Sequence, residues 1–195
     1  MTPLFPSAFE EVIFWTIFLT GILVESLIEN RGGKQSKRSQ RKTADRGTYL
    51  IASITLVASP AIAILLGYAR IAILPSWLFY PGLATYVLGI AFSSWAVFTL
   101  GQFYAPIVQV QFDHRVIESG PYRLIRHPIY AGGLLQFFGF GLALQSWASL
   151  LVLLVGVGLG YANRIGIEEK FLVSELGDDY VEYCKKTKRV VPFIF

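Results

Sequence analysis

Eleven residues, Gly120-Pro-Tyr-Arg-Leu-Ile-Arg-His-Pro-Ile-Tyr130, hold two arginines, one of the chain's two histidines, two tyrosines and two prolines. They lead straight into an apolar segment. A basic, aromatic, hydrogen-bonding cluster at a membrane boundary is costly to hold there, and such clusters bind polar or anionic groups at that depth. Pro128 suits the first turn of a helix, where its missing N–H would be unpaired. The helix would then open at Pro128 with its free N–H groups and positive dipole end at the boundary, a seat for a carboxylate or phosphate. Arg123 and Arg126 add charge beside it. Two readings stand for them: anchoring at the lipid headgroups, or binding an anion.

A second set is Asn163-Arg-Ile-Gly-Ile-Glu-Glu169. Arg164 and Glu168 lie four apart and share one helix face. They form either an interfacial ion pair or a pair that holds a polar substrate at membrane depth. No Ser/His/Asp or Cys/His set occurs, and no Gly-rich loop reads as a nucleotide fingerprint. No Cys/His/Asp cluster has metal-ligand spacing, so no metal is expected. Cys184 is the only cysteine, which excludes an intrachain disulfide. No basic-aromatic patch outside the membrane boundaries points to nucleic acid.

The elements that position these residues are apolar runs. Hydrophobic residues make up 54% of the 195, charged residues only 15%, and the mean hydropathy is +0.53. Five segments stand out, about 12–28, 49–66, 77–100, 128–144 and 147–162. Each is near the ~20 residues that cross ~30 Å of hydrocarbon. The fold expected is therefore an all-α integral membrane protein of five transmembrane helices. Only Gln145 and Ser146 separate the last two segments, so these form a tight antiparallel hairpin. That hairpin brings His127 and Arg164 to one end. Gly132, Gly133, Gly139 and Gly141 on one side, with Gly156, Gly158 and Gly160 on the other, would let helices approach closely. No Lys or Arg precedes the first segment, so it is not a typical signal peptide. Glu25, near its far end, is expected to reach the interface or pair with a basic loop residue.

Charge sets the orientation. Seven basic residues fall in the loop after the first segment, three in the connection from Gly101 to His127 and six from Arg164 onward. Together these are sixteen of the seventeen; only Arg70 lies elsewhere. They occupy alternate loops, so the N-terminus is expected outside and the C-terminus and site in the cytoplasm. The basic first loop reads as this topology signal or as a contact to anionic lipid. Beyond the fifth segment, Ile167, Phe171 and Leu172 continue a helical period. Gly177 breaks it, and a short helix capped by Asp178 follows to about Lys186. Val108–His114 alternates apolar and polar residues and reads as extended. Tyr180 and Tyr183 read first as packing for the tail helix.

The run from His114 to Gly133 resembles the isoprenylcysteine carboxyl methyltransferases. So do Arg164-x-x-x-Glu168-Glu169, Leu176-Gly177-x-x-Tyr180-x-x-Tyr183 and the terminal Val191-Pro192-Phe193. The resemblance covers roughly residues 98–195; phospholipid N-methyltransferases share a looser version. The first three spans match in character, with Asp45-Arg46-Gly47 before the second. The resemblance implies one methyltransferase domain over 1–195, with a three-span part (1–100) and a cytoplasmic cofactor and catalytic part (101–195). It implies S-adenosylmethionine as methyl donor and a prenylcysteine carboxylate as acceptor, in contact with the bilayer. Cofactor contacts map onto His114, Arg115, Val116, Ile117, Tyr122, His127, Pro128, Ile129 and Tyr130. An upstream glutamine maps onto Gln111 or, in a shifted register, Gln109. The acceptor pair maps onto Arg164 and Glu168. The chain is shorter than the eukaryotic members and lacks their extra N-terminal spans. A phospholipid amine, a thiol or another lipophilic acceptor therefore stands beside prenylcysteine, as does a non-catalytic membrane scaffold.

Overall fold

The computed structural model describes residues 5, 7–43, 47–111 and 114–191. Asp45, Arg46, Pro192 and Phe193, named above, lie outside them. The elements in order are α1 (Ala8–Ser39), β1 (Gln40–Thr43), α2 (Thr48–Tyr68), α3 (Phe79–Leu100), β2 (Gln109–Gln111), α4 (Pro128–Ala143), α5 (Trp147–Leu176) and α6 (Asp178–Lys186). Short 3-10 turns at 76–78, 101–103 and 120–123 join them. Three helical stretches, Ala8–Asn30, Ser76–Phe103 and Trp147–Leu176, are long and apolar enough to cross a membrane; α2 and α4 supply shorter apolar stretches.

The all-α expectation needs one correction. β1 and β2 pair antiparallel, Gln40 opposite Gln111 and Thr43 opposite Gln109. The strand alternation around Val108 is thus satisfied by a partner some seventy residues away, which local pattern does not disclose. The fifth helix also runs without a break past its apolar segment to Leu176, where Gly177 (φ 61°) ends it. Gly177 itself is the N-cap of α6, not Asp178, which sits in the first turn with Asp179. There both carboxylates favour the positive end of the helix dipole.

α4 and α5 form the expected hairpin. Gln145 turns the chain with φ 51°, and the Ser146 hydroxyl caps α5 by accepting from the Ser149 N–H at 3.1 Å. The glycines, however, divide among three partners. Gly132 and Gly139 face α3, where an added Cβ at Gly139 would lie 2.3 Å from the Tyr86 nitrogen. At Gly89 on the facing helix it would lie 2.4 Å from the Gln136 nitrogen. Gly156 and Gly160 face Ser59 and Thr55 of α2. Gly133 and Gly141 alone of the α4 glycines meet α5, against Tyr161 and Leu150. The closest backbone approach is therefore α3 to α4, and α5 leans on α2. An aromatic core locks α1 to this pair: Phe14 and Phe18 stack on Phe140 with centroids 5.4 and 4.6 Å apart.

Candidate active site between α4 and α5

His127 is the N-cap of α4 and Pro128 its first residue. The segment before it is held by the tail. The Arg126 N–H donates to the Lys188 carbonyl at 2.7 Å, the His127 N–H to the Arg189 carbonyl at 2.9 Å, and the Lys188 N–H back to the Leu124 carbonyl at 3.2 Å. The two arginines that the sequence leaves equivalent part here. Arg123 is exposed. Arg126 turns inward: its Nε meets Glu169 Oε1 at 2.9 Å, and its NH1 donates to the carbonyls of Cys184 (3.0 Å) and Thr187 (2.5 Å).

Glu169 is a hub with no counterpart in the motif-based expectation. Besides Arg126, it takes His127 Nε2 at 3.3 Å and Arg189 NH2 at 2.8 Å. One carboxylate thus ties α5 to the α4 N-terminus and to the tail. In the sequence it stands only as the last residue of the Arg164-x-x-x-Glu168-Glu169 motif, with no role given to it. Below it, the Tyr183 hydroxyl donates to the Tyr122 carbonyl at 2.7 Å. Burial pushes the Tyr122, Tyr180 and Tyr183 hydroxyls above the usual phenol range, so all three stay protonated.

Arg164, 7% exposed, lies level with the first turn of α4. Its Nε donates to the Tyr130 hydroxyl at 2.9 Å, and its NH2 donates to the Pro106 carbonyl. The Tyr130 hydroxyl in turn donates to Glu168 Oε2 at 2.7 Å. Tyr130 comes from the residues assigned to the cofactor, and the fold gives it a joint between the two residues assigned to the acceptor. His127, expected beside Arg164, finds Glu169 instead; its ring lies 5.6 Å from that of Tyr130.

These groups border one cavity of about 730 Å³, within the range of small-molecule sites. His114, Arg115, Val116, Ile117, Tyr122 and His127 line its polar part, with Tyr180 and Tyr183, so the two tail tyrosines form wall as well as packing. Ile129 and Tyr130 also line it; Pro128 is buried outside the lining. Gln109 reaches the cavity and Gln111, though buried, does not. The other part is apolar, walled by Phe18 and Ile22 of α1 and Leu56, Val57, Pro60 and Ile64 of α2. Arg164, Glu168 and Tyr161 line the same cavity. No local pattern signals that α1 and α2 reach this wall.

The lining offers polar, aromatic and carboxylate groups to a charged small molecule. The Tyr122 hydroxyl is buried with no hydrogen-bond partner among the described residues, and such a group calls for a ligand atom. Tyr122, Tyr130, Tyr180, Tyr183 and Glu168 all line the cavity, and aromatic rings with a carboxylate suit a cationic group.

Residues 77–179 match the family described as phospholipid methyltransferase, just over half of the chain. The chain is 30% identical over 120 residues to protein-S-isoprenylcysteine O-methyltransferase B of Arabidopsis thaliana, covering 60% of this chain and 61% of that protein. It is 33% identical over 109 residues to the Schizosaccharomyces pombe protein-S-isoprenylcysteine O-methyltransferase, covering 55% of this chain and 46% of that one. It thus spans less than two thirds of the length of either relative. The fold is similar to that of the eukaryotic intramembrane Ras methyltransferase, an isoprenylcysteine carboxyl methyltransferase. The TM-score is 0.61 at 24% identity, over 91% of this chain and 67% of that one. The chain belongs to the phospholipid methyltransferase family, and its similarity within the matched region is to the isoprenylcysteine carboxyl methyltransferases that its motifs resemble.

Proposed function

We propose that this protein transfers a methyl group from S-adenosylmethionine to the carboxylate of a prenylated cysteine, forming a methyl ester. The observation that carries the reading is the Arg164–Tyr130–Glu168 hydrogen-bond chain in the wall of one cavity lined by both polar and apolar side chains. The names of the curated relatives support the choice of acceptor.

The membrane placement proposed has all five helices α1 to α5 crossing, the N-terminus outside and the tail in the cytoplasm. The distribution of basic residues supports it. With 16 residues, α4 rises only about 24 Å. A helix this short starts within the cytoplasmic interface and draws His127 and Tyr130 down to the depth of a lipid-borne acceptor.

S-adenosylmethionine, when bound, supplies an electrophilic methyl on a sulfonium. His114–Ile117, Tyr122 and His127 would hold it, with the α4 N-terminus toward its carboxylate. The protein's own part is positioning. Arg164 clamps the acceptor carboxylate through its guanidinium. Tyr130 keeps that guanidinium and Glu168 in fixed register. Glu168 offsets the positive charge of the site through the Tyr130 hydroxyl. An ionised carboxylate is already nucleophilic, so no general base is required. Orientation and fixed charges then supply most of the rate. The α1–α2 wall receives the hydrocarbon tail and excludes water.

Purified protein in lipid nanodiscs with methyl-labelled S-adenosylmethionine and N-acetyl-S-farnesylcysteine tests this. The expected product is a base-labile labelled ester. Label recovered only in phospholipid amines, or no transfer by folded protein, overturns the reading.

A further inference from the structure

The stretch of α1 apolar enough to cross a membrane ends at Asn30, but the helix runs on to Ser39. Those nine further residues rise about 14 Å, whereas the headgroup layer on one side of a bilayer is about 5–8 Å deep. A helix leaving along the membrane normal therefore clears the headgroups before β1 begins. Between Arg31 and Thr43 stand Arg31, Lys34, Lys37, Arg38, Arg41 and Lys42, with no acidic residue among them. Orientation asks only for an excess of Lys and Arg on one side. Six in thirteen residues without a counter-charge exceed that need, and clusters of this size directly beside a span bind anionic headgroups.

This stretch is stitched to the cavity. Gln40–Thr43 form β1, which pairs antiparallel with β2, Lys42 opposite Val110 and Thr43 opposite Gln109. The sheet is two-stranded. β2 leads directly into the site. Gln109 lines the cavity. The Gln111 N–H donates to His114 Nδ1 at 3.5 Å, and the His114 N–H donates to the Gln111 carbonyl at 3.4 Å. His114 lines the cavity too, its ring 5.0 Å from that of Phe103, another lining residue. A two-stranded ribbon is marginal by itself in water. Whatever holds its basic strand in place thus also holds this side of the cavity.

We infer that the stretch Arg31–Thr43 is a binding surface for the anionic phospholipid headgroups of the adjoining leaflet. That contact steadies β1 on β2, and with it the Gln109–His114 side of the cavity. The order of the site then depends on the charge of the membrane around it. This goes beyond the proposed function and takes from it only the membrane placement. A role in orientation alone asks nothing of β2.

The test is hydrogen exchange of the full chain in nanodiscs of phosphatidylcholine, with and without about 30% phosphatidylserine. The amides of Gln40–Thr43 and Gln109–Gln111 are expected to exchange at least fivefold more slowly with the anionic lipid, while those of α6 change less than twofold. Sodium chloride at about 0.5 M, where the Debye length is about 4 Å, is expected to cancel most of the slowing. The triple variant Lys34→Gln, Lys37→Gln, Arg38→Gln is expected to bring it below twofold. That variant keeps Arg31, Arg41 and Lys42 for orientation, and the salt arm on the native protein serves if it does not insert. Equal exchange in the two discs, or a slowing that survives both salt and substitution, overturns the inference. So does an equal slowing by inorganic phosphate in the phosphatidylcholine discs, because a soluble anion would then suffice. The expected slowing in a preparation that transfers no methyl group upholds the inference and sinks the transferase reading alone.

Discussion

The Nε of Arg164 donates to the hydroxyl of Tyr130 at 2.9 Å, and that hydroxyl in turn donates to Glu168 Oε2 at 2.7 Å. One phenol thus joins α4 to α5 and the cofactor motif to the acceptor pair. Tyr130→Phe removes the joint and keeps the ring. The expected result is a loss of roughly 10- to 100-fold in kcat, the range of one well-placed donor to a charged group, with the Kd for S-adenosylmethionine changed less than threefold. Steady-state kinetics and calorimetry on the same preparation check it; the reverse split would move Tyr130 to the cofactor.

Glu169 receives Arg126, His127 and Arg189 at once. Glu169→Gln leaves three cationic or donor groups around a neutral amide. Cofactor affinity is expected to fall more than tenfold, and stability by about 1–3 kcal/mol, the usual penalty for unpairing part-buried hydrogen-bonded groups. Thermal unfolding with and without S-adenosylmethionine reads both effects.

The glycines separate by what they face. Gly139→Ala puts a methyl 2.3 Å from the Tyr86 backbone nitrogen, whereas an added Cβ at Gly158 meets nothing within 4 Å. The first is expected to part α3 from α4 and lower stability by about 2 kcal/mol or more. The second is expected to be neutral or stabilising by up to about 1 kcal/mol, the helix preference of Ala over Gly. Detergent-resistance melts of the two variants side by side check this.

Burial holds the His114 imidazole below its ordinary pKa of 6.5, so the folded state keeps it neutral. Its contribution is fully present above about pH 6.5. It is lost as pH falls toward the depressed folded value, because only the unfolded chain protonates readily. Stability is expected to be flat in this group from pH 8 to 6.5 and to decline below. His114→Gln should flatten the acid limb.

Much of this architecture is written locally. The apolar runs, the two-residue gap at Gln145-Ser146 and the Gly177 break place α3, α4, α5 and α6 to within a few residues, because period, length and breakers act within one helix turn. What the sequence hides is non-local. Gln109 and Gln111 point to the same side of a strand of period two. Only Gln109 lines the cavity, while both pair with β1, far away in the chain. Arg123 and Arg126 look alike until the tail pairs beside them. The glycines of α4 could have met either neighbour. Glu25 read as an interfacial charge because the cavity wall it joins is assembled from four helices. The motif around His127 and the pair at Arg164 were legible as chemistry; the Tyr130 bridge and the Glu169 hub needed coordinates.

Arg164→Ala tests the central claim most directly, because it asks whether one cavity has two separable halves. Methyl transfer to N-acetyl-S-farnesylcysteine and S-adenosylmethionine binding are measured on the same nanodisc preparation. The account predicts a fall in transfer of about 10²–10³-fold or more, the scale for removing one preorganised charged donor, with cofactor affinity within threefold of the native value. Normal turnover at saturating cofactor together with a large loss of cofactor affinity would contradict it.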